Sequence, residues 1–308
     1  MTEFLYIVYE VILPILIIVV LGYIVQLKYN LDLSTLSRLT IFYILPGFIF
    51  MTLYRTAIDL GQFLSIFGIL IIYAGVSFLI AQVIGHFMGL SRDRQTLFTN
   101  SNIFYNAGNY GVPVNDLVFR SDPFAMMTQV MIIIFQNIFV FTYGIVSLSA
   151  KDTSKLKAML GYFKMPIFYA VLLGLLASIF NVNLPSPIES SFEYIRQSMV
   201  AIVLFILGAQ IAQIKFTRLS KSAFVATLTR LIVGPVMMFP IILIFGLDGI
   251  VAQVLLIAAA LPSAVNSVII AQQYTDDSSY AAEIVMMTTL LSPITVSATI
   301  FIANIYFG

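Results

Sequence analysis

From residue 4 to its end the chain is a succession of apolar stretches about twenty residues long, separated by short polar connections. This pattern constrains the fold more than any other feature. A helix of about 20 apolar residues crosses the hydrocarbon core of a bilayer, and it satisfies its own backbone hydrogen bonds where no water can. Ten spans are predicted, over 4–25, 33–54, 63–88, 95–119, 124–148, 162–181, 192–213, 220–246, 249–274 and 279–307. Of the 308 residues 60% are hydrophobic and only 9% charged, whereas soluble domains carry about 25% charged residues. An all-α membrane protein with lipid as its solvent follows. Met1–Glu3 lacks a basic n-region and no cleavage site is evident after it, so the first span is expected to be retained.

Several function classes fall away. A net charge of +1 gives nucleic acid no foothold. With no cysteine there are no disulfides, thiolate metal sites or Cys nucleophile. A single histidine, His86, excludes most zinc and triad chemistry. No enzyme, metal or cofactor is therefore expected.

The basic residues set an orientation, because cytoplasmic loops are enriched in Lys and Arg. The odd-numbered connections carry Lys28 and Arg38, then Arg92 and Arg94, then Lys151, Lys155, Lys157 and Lys164, then Lys215, Arg218 and Lys221; the even-numbered ones carry only Arg55, Arg120 and Arg196. This places the odd connections in the cytoplasm and both termini outside an inner cell membrane.

The chain also repeats itself. Pro14-Ile15 is followed by Leu21-Gly22, and Pro166-Ile167 is followed, at the same spacing, by Leu173-Gly174. The division is residues 1–149, a cytoplasmic linker 150–159, and residues 160–308. Five spans per half is an odd number, so the second half enters the membrane upside down, as in secondary transporters with inverted repeats.

Two spans are too polar and too rich in breakers to be ordinary lipid-facing helices. The fourth reads Asn100-Ser-Asn-Ile-Phe-Tyr-Asn106-Ala-Gly108-Asn109-Tyr110-Gly111-Val-Pro113-Val-Asn115-Asp116, and the ninth carries Leu261-Pro262-Ser263-Ala-Val-Asn266-Ser267 near its midpoint. Proline removes a backbone donor and clashes with the preceding turn. Irregular backbone at that depth persists only inside protein or beside a cavity. Pro113 and Pro262 are read as symmetry-related breaks that meet mid-membrane. The half-helices that follow, Val114–Phe119 and 263–273, would aim their positive N-terminal ends at the crossing, with Pro262 at a first helical position. Paired N-termini form an anion site without a buried lysine. Asn109, Asn115, Asn266 and Ser263 would add donors or fix orientation. The plainer alternative is a proline kink with asparagines hydrogen-bonding between helices; the matched pair of segments argues against it.

At Asn106-Ala-Gly-Asn109-Tyr-Gly111-Val-Pro113, at Leu261-Pro262-Ser-Ala-Val-Asn266 with Ala271-Gln-Gln-Tyr274 downstream, and at Gln136-Asn137, the sequence resembles the auxin efflux carrier family. That family includes bacterial organic-acid permeases and the plant PIN-FORMED exporters. The resemblance implies ten transmembrane helices in two inverted five-helix repeats, with broken helices 4 and 9 crossed and one helix set moving against a scaffold. It further implies an organic anion substrate, often a carboxylate, and commonly a homodimer. Asn106, Asn109, Asn115, Gln136, Ser263 and Asn266, with the crossover prolines Pro113 and Pro262, would form the substrate site. The short central linker favours a bacterial member over a plant exporter.

Three of the charged residues within predicted spans bear on function. Asp116 and Glu10 are candidate proton-coupling acids, since intramembrane acids are costly and usually functional; either also fits an interfacial position. Arg230 is expected to snorkel to the cytoplasmic face, with an acid partner or a substrate carboxylate as its other options. The function expected is secondary transport of a small organic anion by alternating access, coupled to a proton or sodium ion. A channel or ligand sensor built on a transporter fold is the alternative.

Overall fold

The computed structural model describes residues 2–56, 59–120, 122–144, 147, 161–213, 220–275 and 277–308. The linker 150–159 lies outside them, together with Lys151, Lys155, Lys157, Lys215 and Arg218, and so do the side chains of Gln273 and Tyr274. Among the described residues the secondary structure is helical, with one isolated antiparallel bridge between Tyr105 and Ser263. The helices are α1 (2–29), α2 (Leu33–Arg55), α3 (Leu60–Phe87), α4 (Arg92–Ile103), α5 (Val112–Phe119), α6 (Pro123–Gly144), α7 (Pro166–Ile179), α8 (Ser186–Gln213), α9 (Lys221–Ile244), α10 (Gly249–Ala259), α11 (Val265–Tyr274) and α12 (Ser278–Phe307).

Of these helices α1, α2, α3, α6, α8, α9 and α12 are each long and apolar enough to cross a membrane, and α7 and α10 are shorter apolar helices. The large side chains on their outer faces, Ile17, Leu64, Ile71, Leu79 and Ile244 among them, are exposed, as a lipid-facing surface requires. The predicted fourth and ninth spans appear as α4 with α5 and α10 with α11. The predicted seventh span starts earlier than 192, at Ser186, because its first turns are amphipathic and gain partners. Arg55 at the end of α2 bridges Glu189 at 3.0 Å and Glu193 at 2.8 Å, and Arg196 bridges Glu193 at 2.7 Å.

Four of the prolines in these helices are absorbed by a π turn. Val8–Ile12 precedes Pro14, Thr40–Ile44 precedes Pro46, Ala107–Gly111 precedes Pro113, and Thr229–Val233 precedes Pro235. A proline ring collides with the carbonyl four residues before it. Widening the preceding turn to the i→i+5 pattern moves that carbonyl aside and keeps the rod helical. The expectation that Pro113 breaks its helix is therefore corrected: α5 continues through Pro113 from the π turn without interruption.

The helices sort into two groups. α8 packs along α1 and α2, and α7 packs along α2. α3, α4, α6, α9, α10, α11 and α12 pack on one another. Within the first group glycines set the helix separation. Gly22 of α1 lies directly on the backbone of Phe205 in α8, and Gly208 of α8 lies on the backbone of Val19 in α1. Gly174 of α7 sits against Phe50 and Leu53 of α2. With lipid as solvent, such close approach is what drives helix association.

Candidate functional site

Two interruptions build the site. α4 has 12 residues, so at about 1.5 Å per residue it reaches roughly 18 Å from its loop end, near the middle of a ~30 Å hydrocarbon core. It stops at Ile103, and residues 104–106 are not helical. α10 stops at Ala259, and α11 resumes only at Val265. The two gaps cross and satisfy each other's backbone. The Asn106 N–H donates to Pro262 O at 2.8 Å, and the Ala264 N–H donates to Phe104 O at 2.9 Å. Ser263 is fully buried; its Oγ donates to Ser101 O at 2.7 Å and its N–H to Thr288 Oγ1 at 3.2 Å. Freed backbone groups at this depth are thus paired inside the protein, as the absence of water demands.

The partner of Pro262 across the crossing is Asn106, not Pro113. Pro262 is not at a first helical position either, because it lies in the non-helical gap and Ala264 is the residue that precedes the first turn of α11. Ser263→Ala is expected to destabilise the purified protein by about 1–3 kcal/mol, because it leaves the buried Ser101 carbonyl without its partner; a thermal melt in detergent reads this.

Arg230 is the largest correction. Its side chain is 1% exposed and does not snorkel. The π turn of α9 directs it into the crossing. Nε donates to Leu261 O at 2.9 Å, Nη1 to Asn102 O at 2.9 Å and Tyr73 Oη at 3.0 Å, and Nη2 to Ala259 O at 2.8 Å and Ala258 O at 3.3 Å. The guanidinium also lies 4.8 Å from the ring centroid of Tyr105. Among the described residues no carboxylate forms a salt bridge with it. Carbonyls at the C-terminal ends of α4 and α10 hold this charge, and those ends are the negative poles of the helix dipoles.

The opposite poles face a cavity. A space of about 310 Å³ lies between the two helix groups. Ser37, Thr40, Met165, Ile206 and Gln210 line it from α2, the start of α7, and α8; Tyr105–Asn109, Gln136, Asn137 and Ala264–Asn266 line it from the other group. Among the described residues that line it, none is charged. The chain enters α5 and α11 here. Asn106 Oδ1 accepts from the Asn109 N–H at 3.1 Å and so caps the turn leading into α5, whereas α11 begins without a side-chain cap. Three buried amide atoms of lining residues have no hydrogen-bond partner among the described residues: Asn106 Nδ2, Gln136 Oε1 and Gln210 Oε1. Buried polar groups left alone cost about 1–3 kcal/mol each, so three of them around one space suit it to hold water or a polar ligand.

The predicted residues divide accordingly. Asn106, Asn109, Gln136 and Asn266 all line the cavity. Pro113, Asn115, Pro262 and Ser263 do not; they hold the scaffold behind it. Asn115 Nδ2, for example, ties α5 to α6 by donating to Ala125 O at 3.2 Å. Asp116 is half-buried, one helix turn before the end of α5 and in the electrostatic field of Arg196. Glu10 is exposed in the π turn of α1. Neither acid lines the cavity. Sequence reasoning missed Tyr105 and Gln210. Gln210 was detectable as an amide within an apolar span; Tyr105 was not distinguishable from the many packing aromatics.

Paired helix interruptions around an uncharged cavity between two helix groups define a multi-pass membrane protein of transporter type. Residues 7–300 match the model of a family described as membrane transport protein, and the chain belongs to that family. An uncharacterised transporter of Methanothermobacter thermautotrophicus is 27% identical over 92% of this chain and 94% of its own length. A Rhizobium meliloti protein provisionally named a malonate transporter is 27% identical over 58% of each chain. A rice (Oryza sativa subsp. japonica) protein provisionally named auxin efflux carrier component 9 is 32% identical over 36% of this chain and 28% of its own. The resemblance read from the two polar segments is thereby sustained: these are membrane transporters and not enzymes.

Proposed function

We propose that the protein is a secondary transporter that carries a small organic anion, a carboxylate such as a malonate-like dianion, by alternating access. The observation that carries this reading is the cavity at the crossing, with amide groups around it that have no partner among the described residues and the N-terminal turn of α11, which no side chain caps, beside it. Backbone N–H groups and the positive pole of a helix stabilise an anion without a basic side chain. Asn106, Asn109, Gln136 and Asn266 contact the substrate in this proposal, with Tyr105 and Gln210 added. Pro113, Asn115, Pro262 and Ser263 keep the crossing in shape. The provisional malonate name of one relative agrees with a dianion.

The two helix groups supply the moving parts, since the cavity lies on their boundary and one group bears both interruptions. Ten transmembrane passes in two inverted halves, residues 1–149 and 160–308, are the proposed topology. Two features support it: each interruption splits one predicted span, and Gly22 and Gly174 occupy matching close contacts on α8 and α2. In the proposed orientation, with both termini extracytoplasmic, the cavity-lining Ser37 beside Arg38 and Met165 beside Lys164 support an inward-facing state. A homodimer is the assembly that the family resemblance implies.

The deciding experiment is counterflow in proteoliposomes with a panel of mono- and dicarboxylates. Saturable flux of one class supports transport. Binding without flux, or unitary currents, would favour the sensor or the channel. Asp116, at the outer end of α5, is the proposed proton site, with Glu10 as the second acid. Asp116→Asn is expected to flatten the dependence of flux on external pH, and an unchanged profile removes Asp116 from coupling.

A further inference from the structure

Backbone carbonyls at unwound helix ends are how many transporters hold a coupling metal cation. In this protein such carbonyls are already taken. The C-terminal ends of α4 and α10 converge on one point, and the guanidinium of Arg230 fills it with four carbonyl oxygens at 2.8–3.3 Å, from Asn102, Ala258, Ala259 and Leu261. The cation is supplied from a third helix, α9, through a π turn. Tyr73 of α3 accepts a further hydrogen bond from it. The fit is tight: Gly234, one turn along α9, lies against Ala259 O and Tyr73 Oη, so the helix carrying the arginine is pressed onto the crossing. The ring of Tyr105 is the wall between this charge and the cavity.

We infer that Arg230 is a resident cation of the crossing: its guanidinium stands where a coupling sodium ion would otherwise be bound by the helix ends, and it is a positioning residue that holds the two interruptions together without metal. A fixed charge cannot dissociate during a cycle. Sodium is therefore not the ion exchanged at this point. The consequence for coupling rests on the transport reading above; the consequence for cation occupancy does not.

The test uses the purified full-length protein in detergent. Wild type is expected to melt at the same temperature in sodium and in choline salts. Arg230→Ala is expected to melt lower, and millimolar ethylguanidinium, which restores the atoms removed, should raise its melting temperature while leaving wild type unmoved. An Arg230→Ala protein that melts like wild type, or that ethylguanidinium does not rescue, overturns the proposal. Should the alanine variant not fold, Arg230→Lys and Arg230→Gln decide. The charged lysine variant melting clearly above the neutral glutamine variant supports a resident cation; equal melting of the two overturns it. In proteoliposomes, wild-type anion flux is expected to be unchanged when sodium is replaced by N-methylglucamine, and a loss of flux on that replacement overturns the coupling consequence. Absence of flux with every anion counts against the transport reading alone, because the melting measurements need no substrate.

Discussion

Asn106→Leu is expected to abolish most anion flux while the protein still folds. Two roles converge on this side chain. Its Oδ1 caps the turn into α5 by accepting from the Asn109 N–H, and its Nδ2 is buried at the cavity with no partner among the described residues. A hydrogen bond to a charged ligand contributes about 1.5–3 kcal/mol, so its loss alone weakens binding about tenfold to a hundredfold. Loss of the cap costs a further ~1 kcal/mol of stability. Asn106→Asp separates the two roles. The carboxylate keeps the cap and removes the free donor, and it sets a negative charge beside the anion. That variant is expected to melt near wild type and to bind substrate worst of all. Isothermal titration with a dicarboxylate, together with flux, measures both effects; an Asn106→Leu variant that transports at the wild-type rate would remove the crossing as the substrate site.

Gly208→Leu is expected to prevent stable assembly of α1 with α8. The hydrogen that Gly208 presents in place of a side chain faces the backbone of Val19 and Tyr23, and Gly22 meets Phe205 in the reverse sense. Backbone atoms within two packed helices cannot rotate away as a side-chain tip can. A leucine there must push the whole helix aside, and overpacking of this kind costs upwards of about 3 kcal/mol. Close small-residue packing is also the principal attraction between helices in lipid. Gly208→Ala is expected to lower the melting temperature, and Gly208→Leu to leave little monodisperse protein on size exclusion. Gly75, whose added Cβ would meet nothing within 4 Å, is the control: Gly75→Ala should behave as wild type.

Much of the fold was legible because lipid imposes simple rules. Apolar stretches of spanning length, and the polar runs around Asn106 and Asn266, pointed to a helical membrane protein with two unusual segments, and the structure places both segments at one crossing. The details of the crossing were less legible. Proline was taken as the breaking residue, yet the break of the fourth predicted span falls at Phe104–Asn106 and the π turn at Ala107–Gly111 accommodates Pro113. Four of the eight predicted substrate-site residues line the cavity. The others, Pro113, Asn115, Pro262 and Ser263, belong to the same motifs but point into the packing behind it, because neighbouring residues on a turn face different ways.

Arg230 marks the boundary between the two kinds of knowledge. By itself the sequence determined that lipid is the solvent, that helices are the fold, and that two polar, breaker-rich segments stand out; each follows from local composition and the cost of unpaired backbone in hydrocarbon. Only the tertiary structure decided what those segments meet. The carbonyls that surround Arg230 come from Asn102 and from 258–261, far away in the chain, and no local pattern records that they converge. A basic residue ten positions into a helix reads as a snorkelling residue until the helix ends that neutralise it are in view.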